Sequence, residues 1–158
     1  MEGPLPDSDT LIPPETTAMV GTNTGRGAPK LVDRNTIGQF ATAIGSANPL
    51  FRDEASAKAA GFTGVAAPLS YPIYNVPSGT DRDFDLKLPL TRRVRGGDDC
   101  EFIAPIQEGD TLTAETTLTE ARHRKGSTGD LIITTFETRY YNQRGELVMI
   151  ERPTGVWR

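Results

Sequence analysis

Apolar residues recur along this chain with two different periods, and the change of period divides it. Ile37, Phe40, Ala41 and Ile44 stand at i, i+3, i+4 and i+7, the spacing that places side chains on one face of an α-helix. Asp33 before them is a residue type that caps a helix N-terminus, and Gly45 after them a type that stops one. The same reasoning predicts a second short helix over 53–60, ending at Gly61, while 29–32 is a short extended entry. From Asp98 the period drops to two. Segments 98–104, 111–122, 130–141 and 146–157 are rich in Thr, Ile, Val, Tyr and Phe, and turn-like PIQEGD, HRKGSTG and NQRG separate them. The pattern predicts an antiparallel meander whose outward Thr, Glu and Arg mark one solvated face.

A helical first part followed by a long antiparallel sheet predicts one α+β domain in which the sheet wraps around a helix. The segment that must supply this helix is PLSYPIYNVPSGTDRDFDLKLPLTRR. A continuous helix through Pro72 and Pro77 would cost about 3 kcal/mol or more per proline, since each removes a donor and clashes with the preceding turn. Gly79 and the charged run Asp81, Arg82, Asp83 and Asp85 oppose it further. The central helix is therefore expected to be short or interrupted. Residues 1–16 mix Pro, Gly, Asp and Thr without a period and predict a flexible tail ahead of a domain over 17–158.

With 158 residues the chain is long enough for one domain with its own core. Its 17 Lys and Arg against 21 Asp and Glu leave no basic excess to hold a nucleic-acid backbone. Cys100 is the single cysteine, so no internal disulfide and no Cys/His metal set is expected. Cys100 itself falls in strand-like DDCEFIA and is expected as a small packed side chain. No run is long enough to span a bilayer and the N-terminus has no basic-then-apolar leader, so a soluble, cytoplasmic protein is expected. The single histidine, His123, lies in RHRKGSTG and is expected in an exposed strand connection.

Candidate chemistry centres on 37–64, IGQFATAIGSANPLFRDEASAKAAGFTG. Gly45, Asn48, Pro49 and Leu50 stand in the frame G-D-x-N-P-[LIV]-H, which resembles the MaoC-like (R)-specific enoyl-CoA hydratases. In that family the Asp and His activate the water that is added to, or removed from, an acyl thioester. Here Ser46 holds the Asp position and Phe51 the His position. Neither side chain changes protonation near neutral pH, as a general acid or base must. The resemblance continues through VAAPLSYP, RGGDDCEF, PIQEGDTL and TRYYNQRGELV, from Val20 to Trp157. Arg95 and Ala104 depart from it, standing where many relatives have His and Arg.

The resemblance implies a hot-dog domain that pairs with a second one. In paired members one unit keeps the Asp and His while the other has lost them and holds the acyl tail. By that likeness this chain is the empty unit of a heteromeric 2-enoyl-CoA hydratase or 3-hydroxyacyl dehydratase, with the catalytic pair on a MaoC-like partner chain. No cofactor is implied beyond the thioester, which a coenzyme A or an acyl carrier protein would bear. The interrupted helix implies room for long or ring-containing acyl groups, steroid-like ones among them. Asn48, Phe51, Pro68, Tyr71 and Tyr74 are the candidate substrate-binding residues, and Arg92, Arg93 and Arg95 are candidates for a coenzyme A phosphate. Two other readings stay open: a thioesterase using Asp53 or Glu54, and a non-enzymatic acyl-binding module. Acidic residues in a first helical turn are also favoured simply by the helix dipole.

Overall fold

The computed structural model describes residues 11–79 and 86–158. Six strands among them form one antiparallel sheet, in the order β1-β4-β5-β6-β3 with β2 also on β4. They are β1 Asn23–Arg26, β2 Lys30–Leu31, β3 Arg93–Phe102, β4 Thr111–Gly126, β5 Gly129–Tyr141 and β6 Leu147–Trp157. The helices are α1 Pro14–Met19, α2 Arg34–Ala43, α3 Glu54–Ala59 and α4 Tyr71–Asn75, with a 3-10 turn at Pro49–Phe51. This is the expected α+β hot-dog layout, a long sheet around a short helix.

As the sequence predicts, Asp33 accepts from Thr36 N to start α2, and Gly45 leaves it at φ 68°. The second helix, expected over 53–60, runs over Glu54–Ala59, with Asp53 capping it by accepting from Ser56 N. In α4, Pro72 falls in the first turn, where its missing donor costs nothing, and Pro77 follows the last residues. One turn is all that the two prolines allow.

Four expectations need correction. β3 starts at Arg93 rather than Asp98, because its first residues are largely exposed and polar and the bulge at Gly96 breaks their register, so that only pairing with β6 makes them strand. The β4–β5 ladder runs through Lys125↔Asp130 and Gly126↔Gly129, so HRKGSTG is mostly strand. His123 therefore faces Ile132 inside the ladder, with a side chain only 12% exposed and Nε2 2.8 Å from Asp130 Oδ1. Backbone pairing extends the hairpin where no apolar residue signals it. Part of the expected tail, 1–16, is helical: Thr16 is fully buried in α1 and its hydroxyl donates to the Leu86 carbonyl. The rest of the tail, 1–10, and the charged run at 81–85 lie outside the described residues.

Cross-strand pairing turns the concave face into rows. Ala114, Tyr140, Met149 and Phe102 lie side by side across β4, β5, β6 and β3, and the next row is Thr116, Thr138, Glu151 and Cys100. Tyr140 and Met149 join Val32, Ile37, Tyr71 and Leu112 in the main apolar cluster. Leu118, Ile132, Phe136 and Trp157 form a second cluster with Leu86. The polar row runs between them. The chain after α4 crosses it, with Ser78 O accepting from Thr116 Oγ1, and passes so close to β1 that a Cβ on Gly27 would lie 1.6 Å from Pro77 O.

Candidate functional site

The motif is built on the turn that ends α2. Past Gly45, Ser46 N donates to Ala41 O at 2.9 Å, and Ser46 Oγ accepts from Asn48 N at 3.3 Å. Asn48 Oδ1 accepts from Leu50 N at 3.1 Å and so caps the 3-10 turn. Arg52 Nη2 closes the loop with bonds to Ser46 O and Thr42 Oγ1. Ser46 is thus part of the turn's own hydrogen bonding, and Phe51, half-buried, packs its ring against the main cluster. The frame of the motif is intact, and neither position carries a group that moves a proton near neutral pH.

The structure brings only some of the candidate binding residues together. Tyr71 is fully buried, its hydroxyl 2.8 Å from Thr36 Oγ1, and burial pushes its pKa up. It meets Phe40 edge-on at 5.9 Å, and Phe40 in turn contacts the Tyr74 ring at 5.8 Å. Phe51, Tyr71 and Phe40 therefore form one apolar body under the motif. Tyr74 is 70% exposed and Asn48 is exposed at the rim. Pro68 lines a shallow apolar groove with Ala67, Leu69, Phe102 and Met149. Phe40 belongs to this group, although its helical spacing marks it only as core.

The other candidates are engaged structurally. Arg95 grips Asp98 with two bonds of 2.6 and 2.7 Å and approaches Glu151 at 3.8 Å, while the Arg93 guanidinium lies 5.8 Å from the Trp157 ring centre. Arg92 exchanges main-chain bonds with Arg158. Asp53 is occupied as a cap, and its hydrogen bonds from the Ser56 side chain and main chain hold its pKa down. Glu54 is held at about 2 by hydrogen bonds from Lys58 and Arg34. A carboxylate held that low is a poor general base. Cys100 packs on the main cluster, and burial, with Glu151 and Asp98 adding, pushes its thiol up.

Arg34 bridges Glu54 and Glu108 at 2.6 and 2.8 Å, clamping α2 to α3 and to the loop before β4. Because the folded pKa of Glu54 lies below its ordinary 4.5, the clamp's contribution is fully present above pH 4.5 and is lost as pH falls toward about 2. Hydrogen exchange of the α3 amides is expected to quicken across that window, before global unfolding. Unchanged α3 protection down to pH 2 would show the clamp to be idle.

The sequence reading missed Glu151. It is completely buried on the concave face and accepts a 2.9 Å bond from Tyr140 Oη. Its parity with Met149 and Trp157, both inward, carried the signal.

Comparisons with known proteins agree with this architecture. A family model described as the FAS1-like dehydratase domain region matches residues 18–151. A UPF0336 protein of Parafrankia sp. is 34% identical over 132 residues, covering 82% of this chain and 85% of that one. A MaoC-like dehydratase superposes with a TM-score of 0.76 and 26% identity over 90% of this chain but 43% of its own. The truncated HadBC (3R-hydroxyacyl-ACP dehydratase) complex of Mycobacterium tuberculosis superposes with a TM-score of 0.72 and 24% identity, over 87% of this chain and 96% of that chain.

Proposed function

The chain belongs to the FAS1-like dehydratase family of MaoC-like hot-dog proteins, and from that premise we propose that it is a non-catalytic, acyl-tail-binding subunit of a heteromeric 2-enoyl-thioester hydratase or 3-hydroxyacyl-thioester dehydratase. One observation supports the reading: the turn over residues 45–51 is closed by its own hydrogen bonds and carries Ser46 and Phe51 at the positions where the resembled motif has Asp and His. The chemistry then belongs to a partner hot-dog chain with an intact Asp and His. Two features of the relatives support this. The HadBC dehydratase is a complex, and the MaoC-like dehydratase is more than twice the length that this chain covers. Among the described residues β3 pairs only with β6, and its other edge offers a place for a second unit's sheet to join. The engagement of Asp53 and Glu54 weighs against a thioesterase built on either one.

The one-turn α4, in place of a long central helix, supports a bulky acyl tail as the ligand, delivered as a coenzyme A or acyl-carrier thioester. Burial contributes about 0.8 kcal/mol per methylene, so four extra carbons set a ceiling of about two hundredfold in kcat/KM. The assembled complex is expected to prefer long or ring-containing acyl groups over four-carbon ones by more than tenfold, a small share of that ceiling. Tyr74→Trp should reduce turnover of the large substrates more than that of the small. Equal use of four-carbon substrates, with no size-dependent effect of the substitution, would contradict the tail-binding role.

A further inference from the structure

Most arginines of this chain are neutralised within the fold. Arg26, Arg34, Arg95, Arg139, Arg144 and Arg152 each lie against a carboxylate, and Arg122 meets Glu120 at 3.4 Å. Arg92, Arg124 and Arg158 are exposed, and among the described residues none of them forms an ion pair with an acidic side chain. In a chain of net charge −4, these three gather in one corner of the sheet.

The strand register places them. Arg92 and Arg158 exchange main-chain bonds of 3.2 and 2.9 Å and so stand directly opposite each other, one step past the Arg93↔Trp157 pair. Ile132 pairs with both His123 and Trp157, which sets Leu131 between Arg124 and Arg158. Since Ile132 and Trp157 are buried on the concave side, the row Arg124, Leu131, Arg158 and Arg92 belongs to the convex face. The next row on that face is Arg122, Ile133, Val156 and Val94. Four aliphatic side chains, none of them fully buried, are thus bounded by four arginines along the β4 side and the end of the sheet. Like charges directly opposite in an antiparallel pair are destabilising. A local rule broken without compensation inside the fold points to something bound outside it.

The patch defines the chemistry of its partner. Charge of one sign calls for acidic groups. The arginines stand in line across strands about 4.8 Å apart instead of converging on one point, which suits an extended acidic surface and not a single phosphate. Leu131, Ile133 and Val156 are short and only partly exposed, so a firm apolar ridge has to descend on them; they cannot reach the acyl region of a bilayer past the longer arginines. A helix, about 10 Å wide, spans both rows. We propose that this corner of the convex face docks an amphipathic α-helix of another protein, with its apolar ridge over Ile133, Val156 and Val94 and its Asp and Glu along the flank that meets Arg124, Arg158 and Arg92. A second sheet joined at the β3 edge would continue this face rather than cover it, and the docking does not depend on the acyl-binding reading.

Fluorescence anisotropy tests this, with the full chain and a labelled, stapled helical peptide whose leucine ridge is flanked on one side by glutamates. Saturable binding that weakens with added salt is expected. Arg92→Glu combined with Arg124→Glu should lower the affinity about tenfold or more, and a peptide with lysines in place of the glutamates should bind that variant more tightly than it binds the parent. Arg139→Gln, at the far end of the same face, should change nothing. Arg92→Glu alone should raise Tm while it weakens binding, because it makes the pair with Arg158 attractive. Should that variant fail to fold, Arg124→Gln, opposite Leu131, reads the same loss. No saturable binding, equal binding of a scrambled peptide of the same composition, or indifference to the arginine substitutions would each overturn the proposal. Binding of anionic phospholipid vesicles instead of the peptide, with the same arginine dependence, would overturn it in favour of a membrane surface. None of these results touches the subunit reading, which is tested by turnover of the complex.

Discussion

Gly27→Ala is expected to cost about 3 kcal/mol or more of stability, lowering Tm by about 10 °C, because overpacking against rigid backbone forces the chain itself to move. The added Cβ would stand 1.6 Å from Pro77 O and 2.6 Å from Pro77 C, and neither is the movable end of a side chain. Gly79 faces the same junction from the other side, where a Cβ would fall 2.0 Å from the Arg26 carbonyl carbon at a φ of 75°. This backbone contact holds the chain after α4 over the polar row of the concave face. Separating the two stretches of chain would uncover the buried polar row beneath them. Gly38→Ala is the control: it sits in α2 with nothing within 4 Å of a new Cβ, and should gain up to about 1 kcal/mol from helix propensity. Thermal unfolding of both variants checks the pair, and a Gly27 variant as stable as the parent would mean that the close approach is not a feature of the folded chain.

The second large effect is expected where Tyr140 meets Glu151. A buried carboxylate that loses a hydrogen-bond donor keeps its desolvation penalty, so Tyr140→Phe should cost about 1–3 kcal/mol. Glu151→Leu takes away the acceptor of the Tyr140 hydroxyl and carries a loss of its own, whereas replacing both members of a buried polar pair by apolar groups is often nearly neutral. Combined, the two substitutions should cost less than the sum of their separate losses, with a coupling of about 1 kcal/mol or more. Denaturant unfolding of the two single variants and the double variant measures this directly. Strictly additive losses would mean that the 2.9 Å bond contributes nothing of its own.

Much of this arrangement is legible in the sequence because it is written in local chemistry. The apolar spacing of Ile37, Phe40, Ala41 and Ile44, the cap at Asp33 and the stop at Gly45 define α2 and hence the position of the motif. The two prolines that shorten the central helix act within a single turn of it. What was not legible depends on partners distant in sequence. β1, with the polar sequence NTGR, is a strand only because β4 supplies its hydrogen bonds. The first residues of β3 are masked by a bulge whose meaning appears only against β6. Tyr71 and Tyr74 look alike in the sequence and, three apart in α4, both meet Phe40, yet one is fully buried against Thr36 and the other is largely exposed to solvent. Glu151 was concealed by its polarity, since a lone acid in a strand is ordinarily assigned to the solvated face.

The central claim is that this chain holds an acyl thioester without performing chemistry on it. The most direct measurement is the hydration rate of trans-2-enoyl-CoA substrates, from crotonyl-CoA upward, by the purified chain alone and after coexpression with a hot-dog chain carrying intact G-D-x-N-P-x-H. The account predicts no turnover above background for the chain alone, and turnover by the complex that is abolished when the partner's Asp or His is replaced. Sustained turnover by the isolated chain, undiminished by Ser46→Ala and Phe51→Ala, would place catalytic groups elsewhere in it and contradict the account.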